Sequence, residues 1–375
     1  MTERLKSTAL LFGSFVVGVL LLELAVRLFL PQQLILLRPD IWQPDSITGH
    51  RHAADIRTRV NWGEGAVDLF TDENGYRIDR PEDANAAKAD ISILAIGDSF
   101  LEALQVESER TVPQVIRALL EDRYNRFVKV DNASSAGWNP NHYYKVAGQA
   151  LSQTTYDLGI VFLFVGNDVV SEEVEFIKPR APTIRHTLRM PRGITRGELV
   201  DAILYPVNDF LERTSQLYIF VKKSSSTLLT RLGLTALYIP AVVKIAEADS
   251  PDWDVTTSIC KKISEVFYAH DTPLFFVLLP INFQVNEDIF EDYVRYFDID
   301  PQNISLDQPN EELSGRFAAE GLQLVDTIDC LREKRRGGHT LYGSVDTHLT
   351  EDGHRTIAEC LLPTIESSLS LGTGN

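Results

Sequence analysis

Ile91-Ser92-Ile93-Leu94-Ala95-Ile96-Gly97-Asp98-Ser99-Phe100 is an apolar run that stops at a glycine, an acid and a hydroxyl. Such a run reads as a strand buried on both faces, the pattern of a parallel sheet covered by helices. In those sheets chemistry gathers beyond the carboxyl ends of the strands, which is where Ser99 is delivered. Glycine at 97 permits a tight turn and a close backbone approach.

The alternation continues outward from this stretch. Thr111 to Tyr124 reads as a helix with Pro113 near its start, Phe127 to Asn132 as a strand, and Tyr143 to Gln153 as a helix. Gly159 to Val165 is a second continuous apolar strand. Residues 171–250 break the rhythm and read as a mostly helical insertion. The pattern resumes with a helix over Val255 to His270 and a strand over Leu274 to Leu279. Acidic, polar sequence then runs to about Gly321, before a short strand over Leu322 to Val325 and a closing helix over Glu351 to Ser368. Strands and helices spaced in this way predict a doubly wound α/β sheet. Ahead of Ile91, residues 31–90 are turn-rich. Asn74-Gly75 marks a hairpin in a β-rich lead-in, followed by a polar linker over Arg80 to Asp90. The expected organisation is therefore 1–30, 31–90 and 91–375, the last carrying the insertion at about 171–250.

The first segment has its own signature. Arg4 and Lys6 precede Ser7 to Leu22, 16 residues without a charge, and the apolar character runs on to Leu30. As a helix, the 24 residues from Ser7 to Leu30 span about 36 Å, enough for a hydrocarbon core of roughly 30 Å. Glu23 and Arg27 interrupt the run at i,i+4, where they can pair and reach toward headgroups. Pro31-Gln32-Gln33-Leu34 supplies no small-x-small cleavage site, so an uncleaved signal anchor is expected rather than a removed leader. The membrane is thus an expected partner through residues 7–30. Arg4 and Lys6 favour a cytoplasmic N-terminus, with the remainder periplasmic or extracellular.

Composition narrows the partners further. A formal net charge of −17 argues against nucleic acid, whose binding draws on phosphate neutralisation. The three cysteines, Cys260, Cys330 and Cys360, have no zinc-ligand spacing. In an oxidising compartment Cys330 and Cys360 can pair, but the sequence does not give their separation, and three ordinary thiols is the simpler reading.

Ser99 as a nucleophile needs a base, an acid to orient that base, and donors for an oxyanion. Candidates stand at successive strand ends: Gly137 in Asn132-Ala133-Ser134-Ser135-Ala136-Gly137, and Asn167 in Gly166-Asn167-Asp168. Asp346-Thr347-His348 lies in the loop before the closing helix. Asp98 reads as a cap or loop tether, Asp168 as structural, and His354 as a packing or capping residue. His142 and His339 are rival bases, but neither has an acid two or three positions upstream.

In this order the motifs resemble those of the SGNH (GDSL-type) hydrolases. Gly97-Asp98-Ser99-Phe100 resembles the first block, with Phe in place of the commoner Leu, and Gly137 matches the second. Val165-Gly166-Asn167-Asp168 is similar to the third with its glycine displaced, and Asp346-Thr347-His348 resembles the last with a two-residue spacing. The resemblance covers about 91–175 and 270–370. It implies a flavodoxin-like doubly wound parallel sheet, a Ser99–His348–Asp346 triad, and an oxyanion hole from the N–H groups of Ser99 and Gly137 with the Asn167 side chain. It implies no metal or organic cofactor. The implied reaction is ester hydrolysis through an acyl-enzyme, on an ester-bearing glycan or lipid, with O-acetylated polysaccharide the leading substrate. An O-acyltransferase using the same site is the alternative, and a non-catalytic envelope binding protein the second.

Overall fold

The computed structural model describes residues 2–32, 34, 36, 38–79, 89–175, 177–178, 207–208, 210–231, 253–297, 304–343 and 347–371. The chain divides into two units. One comprises residues 1–37, 61–65 and 185–237, and the other 38–60, 66–184 and 238–375.

In the first unit, helix Thr2–Phe29 includes Lys6–Phe29, 24 residues long and apolar enough to cross a membrane. Its leucine and phenylalanine side chains are largely exposed. Arg27 Nε lies 2.6 Å from Glu23 Oε1, the expected pair. Glu23 does more than pair: it accepts from Ser215 Oγ at 2.7 Å and from the N–H groups of Gln216 and Leu217 at 3.0 and 2.9 Å. A carboxylate from one helix thereby satisfies the open N–H groups of another, Gln216–Arg231. Arg27 Nη2 in turn donates to the Thr214 carbonyl at 2.6 Å. Within 171–250, this helix is the longest described piece; 179–206 and 232–250 lie outside the described residues.

The second unit is built on a sheet. Its strands are β1 (Trp42–Asp45), β2 (Gly49–His52), β3 (Arg57–Asn61), β4 (Ala66–Thr71), β5 (Arg77–Ile78), β6 (Ile91–Gly97), β7 (Val128–Ser134), β8 (Leu158–Phe164), β9 (Leu274–Leu279) and β10 (Leu324–Asp326). β1 and β2 form an antiparallel ribbon; the others form one eight-stranded sheet in the order β10-β9-β8-β6-β7-β5-β4-β3. β6 to β10 are all parallel. Counted in chain order, those five run 2-1-3-4-5, the flavodoxin-like order. The expected α/β class and sheet type are what the chain adopts.

Continuous apolar sequence makes β6 and β8 the sheet's centre, since both faces are covered. Helices Val112–Tyr124 and Glu351–Ser368 pack together, as do Pro140–Gln153 and Trp253–Tyr268. Right-handed crossovers on either side of β6 put the two pairs on opposite faces. Gly159 in β8 admits the Phe267 ring, which a Cβ there would meet at 2.1 Å.

Three features differ from the sequence reading. β7 runs on to Ser134, so Ala133 and Ser134 also belong to the strand. The polar stretch before Gly321 contains helices Asn282–Val285, Glu287–Phe297 and Gln308–Ala319. In the latter two, charged residues interrupt the apolar stripe. The lead-in, which holds β1 to β5, also joins the main sheet. The Asn74-Gly75 turn does join β4 to β5, but β5 pairs antiparallel with β7 through Arg77 and Asn132, which extends the main sheet. Most of the linker, 80–88, lies outside the described residues.

Cys330 and Cys360 form a disulfide with Cα atoms 6.3 Å apart, tying helix Ile328–Arg336 to Glu351–Ser368. Cys260 is a buried free thiol.

Candidate active site

Ser99 opens a single helical turn, Ser99–Glu102, directly after β6. Asp98 caps that turn, accepting from the Phe100 N–H at 2.9 Å. The turn can close only because residue 97 has no side chain: a Cβ on Gly97 would lie 2.9 Å from the Leu101 Cβ. As the first helical residue, Ser99 has a backbone N–H with no acceptor inside the turn.

His348 comes from a loop 249 residues away, and its Nε2 stands 2.8 Å from Ser99 Oγ. With Nε2 as acceptor for the hydroxyl proton, the neutral ring carries its own hydrogen on Nδ1. Several contacts hold the loop. The Gly343 N–H donates to the His348 carbonyl at 2.8 Å, Tyr342 bridges Leu349, and the Tyr342 hydroxyl donates to the Pro280 carbonyl at the end of β9 at 2.7 Å. Gly353, at the start of the last helix, lets that helix approach, since a Cβ there would meet the Leu341 carbonyl at 2.3 Å. The Phe100 ring packs 4.5 Å from the imidazole and stacks on Phe164.

Asn167 follows β8, and its Nδ2 donates to Asp98 Oδ2 at 2.9 Å. An amide nitrogen has two hydrogens, so one is committed to Asp98 and the other is left for a ligand. Burial pushes the Asp98 carboxyl above its ordinary value. The hydrogen bonds from Asn167 and Phe100 and the nearby His348 charge oppose that shift. Asp168 is buried behind it, and burial, together with the Asp98 charge, raises its carboxyl well above the usual range. It accepts from the Tyr143 hydroxyl at 2.9 Å and the Phe164 N–H at 2.7 Å. Both acids therefore hold the turns around the site, as the sequence reading has them.

β6 and β8 are adjacent strands from which the chain departs in opposite directions. Ser99 and Asn167 thus sit at the topological switch point of the sheet. Gly137, exposed and at φ +77°, lies in the turn after β7, at the same edge. Asp346 lies outside the described residues. The rival histidines are engaged elsewhere: His142 Nδ1 accepts from the Asn139 N–H in a capping box, and His339 Nδ1 stands 2.9 Å from Asp352. His354 is buried behind the site, 1% exposed. Desolvation first, then the charges of Arg77 and His348, bring its pKa down to about 3, so it packs as a neutral ring.

The lead-in contributes side chains that sequence reading missed. Arg77 is 2% exposed, and its guanidinium donates to three main-chain carbonyls beyond Ser99: Glu102, Ala103 and Val106, at 2.6, 2.5 and 2.7 Å. Glu102, also buried, meets His52 Nε2 at 2.6 Å and accepts from Trp42 Nε1 at 3.0 Å.

No family profile matches the chain, and no curated protein does. Among solved structures the chain is similar to TesA, at 11% identity and TM-score 0.36, over 74% of this chain and 99% of that one. It is similar to a catalytic mutant of Axe2, an acetylxylan esterase from Geobacillus stearothermophilus, at 11% identity and TM-score 0.40, over 76% and 95%. It is also similar to LAE5, an alpha/beta hydrolase enzyme from the metagenome of Lake Arreo, Spain, at 11% identity and TM-score 0.39, over 77% and 99%.

Proposed function

We propose that this chain is a serine ester hydrolase of the SGNH type, tethered by its N-terminal helix and acting outside the membrane on an O-acetylated glycan or a lipid ester. The carrying observation is the 2.8 Å contact between His348 Nε2 and Ser99 Oγ, closed across 249 residues at the switch point of the sheet. In this reading Ser99 Oγ attacks the ester carbonyl as its proton passes to His348 Nε2. The tetrahedral oxyanion is held by the N–H groups of Ser99 and Gly137 and by the second hydrogen of the Asn167 amide. Collapse of the intermediate expels the alcohol, which takes the proton from His348 and leaves an acyl-Ser99. Water then attacks, gives its proton to His348, and releases the acid as Ser99 regains its hydrogen. Asp346 orients the imidazole.

The location has its own support. Lys6–Phe29 has the length and composition of a span, and the Cys330–Cys360 disulfide suits an oxidising compartment. Arg4 and Lys6 at the other end suit a cytoplasmic tip. The test is covalent labelling of the purified full chain with a fluorophosphonate, followed by turnover of acetyl and longer-chain aryl esters. Labelling of Ser99, lost in Ser99→Ala along with turnover, is the expected result. Equal labelling or turnover in the alanine variant overturns the proposal.

A further inference from the structure

We infer that His50, on β2 of the lead-in, is a positioning residue that fixes the direction of the Gly137 N–H. This rests on the reading of Gly137 as an oxyanion donor given above.

Ser135-Ala136-Gly137-Trp138 is a β-turn closed by the Trp138 N–H to the Ser135 carbonyl at 3.2 Å. Gly137, third in the turn, has φ +77°, while Ala136 is not at positive φ, which makes the turn type II. Types I and II differ mainly by rotation of the central peptide, here the one joining Ala136 to Gly137. Glycine at the third position removes the steric bias between them. That peptide is therefore the soft element of the turn, and it carries the proposed donor.

His50 grips this same peptide. Its Nε2 lies 2.8 Å from the Ala136 carbonyl, so Nε2 carries a hydrogen and donates it. In a planar trans peptide the C=O of residue 136 and the N–H of residue 137 point in opposite directions. Holding the Ala136 oxygen toward β2 therefore aims the Gly137 hydrogen the other way. A flip to type I would break the His50 bond and turn the donor away. An accepted hydrogen bond at the carbonyl also polarises the N–H on the far side of the amide.

His50 is itself well held. It is 3% exposed, and its own carbonyl accepts from Trp138 Nε1 at 2.9 Å and from Thr48 Oγ1 at 2.8 Å. Both ends of the Ala136–Trp138 segment are thus tied to one residue, 86 positions earlier in the chain at Ala136. The Trp138 and His142 rings stack 6.3 Å apart beside it. The clamp and the turn belong to one unit of the fold.

The test compares His50→Phe, which keeps a ring but has no donor, with His50→Gln, whose amide N–H can replace Nε2–H. Ester kinetics and phosphonate inhibition are measured on full-length protein with a normal thermal transition. His50→Phe is expected to lower kcat by about 10²-fold, the cost of one oxyanion donor, with KM within about twofold. Its affinity for a phosphonate transition-state mimic is expected to fall by the same factor. His50→Gln is expected to restore most of both. Should the phenyl ring prevent folding, His50→Leu against His50→Gln carries the same contrast. Wild-type kcat in the donorless variant, or equal losses with and without the amide donor, overturns the inference. Absence of Ser99 labelling in the wild-type chain would instead overturn the proposed function.

Discussion

Replacing Arg77 with Met removes a guanidinium while keeping most of the side-chain volume. Three buried carbonyls, at Glu102, Ala103 and Val106, lose their charged donor. Charge-assisted hydrogen bonds contribute roughly 1.5–3 kcal/mol each, so the gross loss is about 4–9 kcal/mol. An opposing term reduces it. Burial, opposed in part by the charges of Glu102, Glu107 and Asp79, brings the Arg77 pKa down to about 10, so its surroundings on balance disfavour the charge by about 3 kcal/mol at roughly 1.4 kcal/mol per pH unit. Methionine is free of that cost. The net expectation is destabilisation by about 3 kcal/mol, within a range of about 1–6 kcal/mol. For a unit of this size, at about 2.1 cal/mol/K of unfolding entropy per residue, that lowers Tm by roughly 5 °C. The same carbonyls follow the Ser99 turn, so fluorophosphonate labelling of the folded variant should also slow. Thermal unfolding by circular dichroism and labelling kinetics below the transition measure the two effects. A Tm within about 2 °C of wild type, with an unchanged labelling rate, would refute the reasoning that Arg77 braces the Ser99 turn.

Further outcomes follow from the same geometry. Asn167→Ala should cut kcat by about 10²-fold with little change in KM, since the oxyanion charge develops only in the transition state; a change confined to KM would move Asn167 to substrate binding. Neutral His354, with a folded pKa near 3 against 6.5 when exposed, binds fewer protons folded than unfolded. Its contribution is complete above pH 6.5 and is lost as pH falls toward 3, about 1.4 kcal/mol of it between pH 7.5 and 5.5. His354→Leu should flatten that part of the Tm–pH curve, and identical slopes in the two proteins would count against a buried neutral ring. Protease added outside spheroplasts should digest the chain beyond about residue 40, and protection of that region would reverse the proposed orientation.

Much of the sheet was legible in the residues. β6, β8 and β9 are runs in which nearly every side chain is apolar, and only strands covered on both faces need that composition. Ser99 and Asn167 stood out because each follows such a strand, and His348 because an acid stands two positions before it ahead of the closing helix. Charge hid other parts, as in helix Glu287–Phe297, where Glu287, Asp288, Glu291, Asp292 and Arg295 interrupt the apolar residues.

The sequence by itself determined the parallel strands, the apolar N-terminal helix and the order of the candidate site residues, because all three are written in local periodicity and composition. Tertiary structure alone decided that β5 extends the sheet, that Glu23 caps helix Gln216–Arg231, and that Arg77 and His50 brace the turns bearing Ser99 and Gly137. The first joins main chain to main chain, and the others join a side chain to a main-chain N–H or C=O. Every residue but proline carries both groups, so the partner leaves no mark in the sequence, and only the folded path of the chain selects which one is reached.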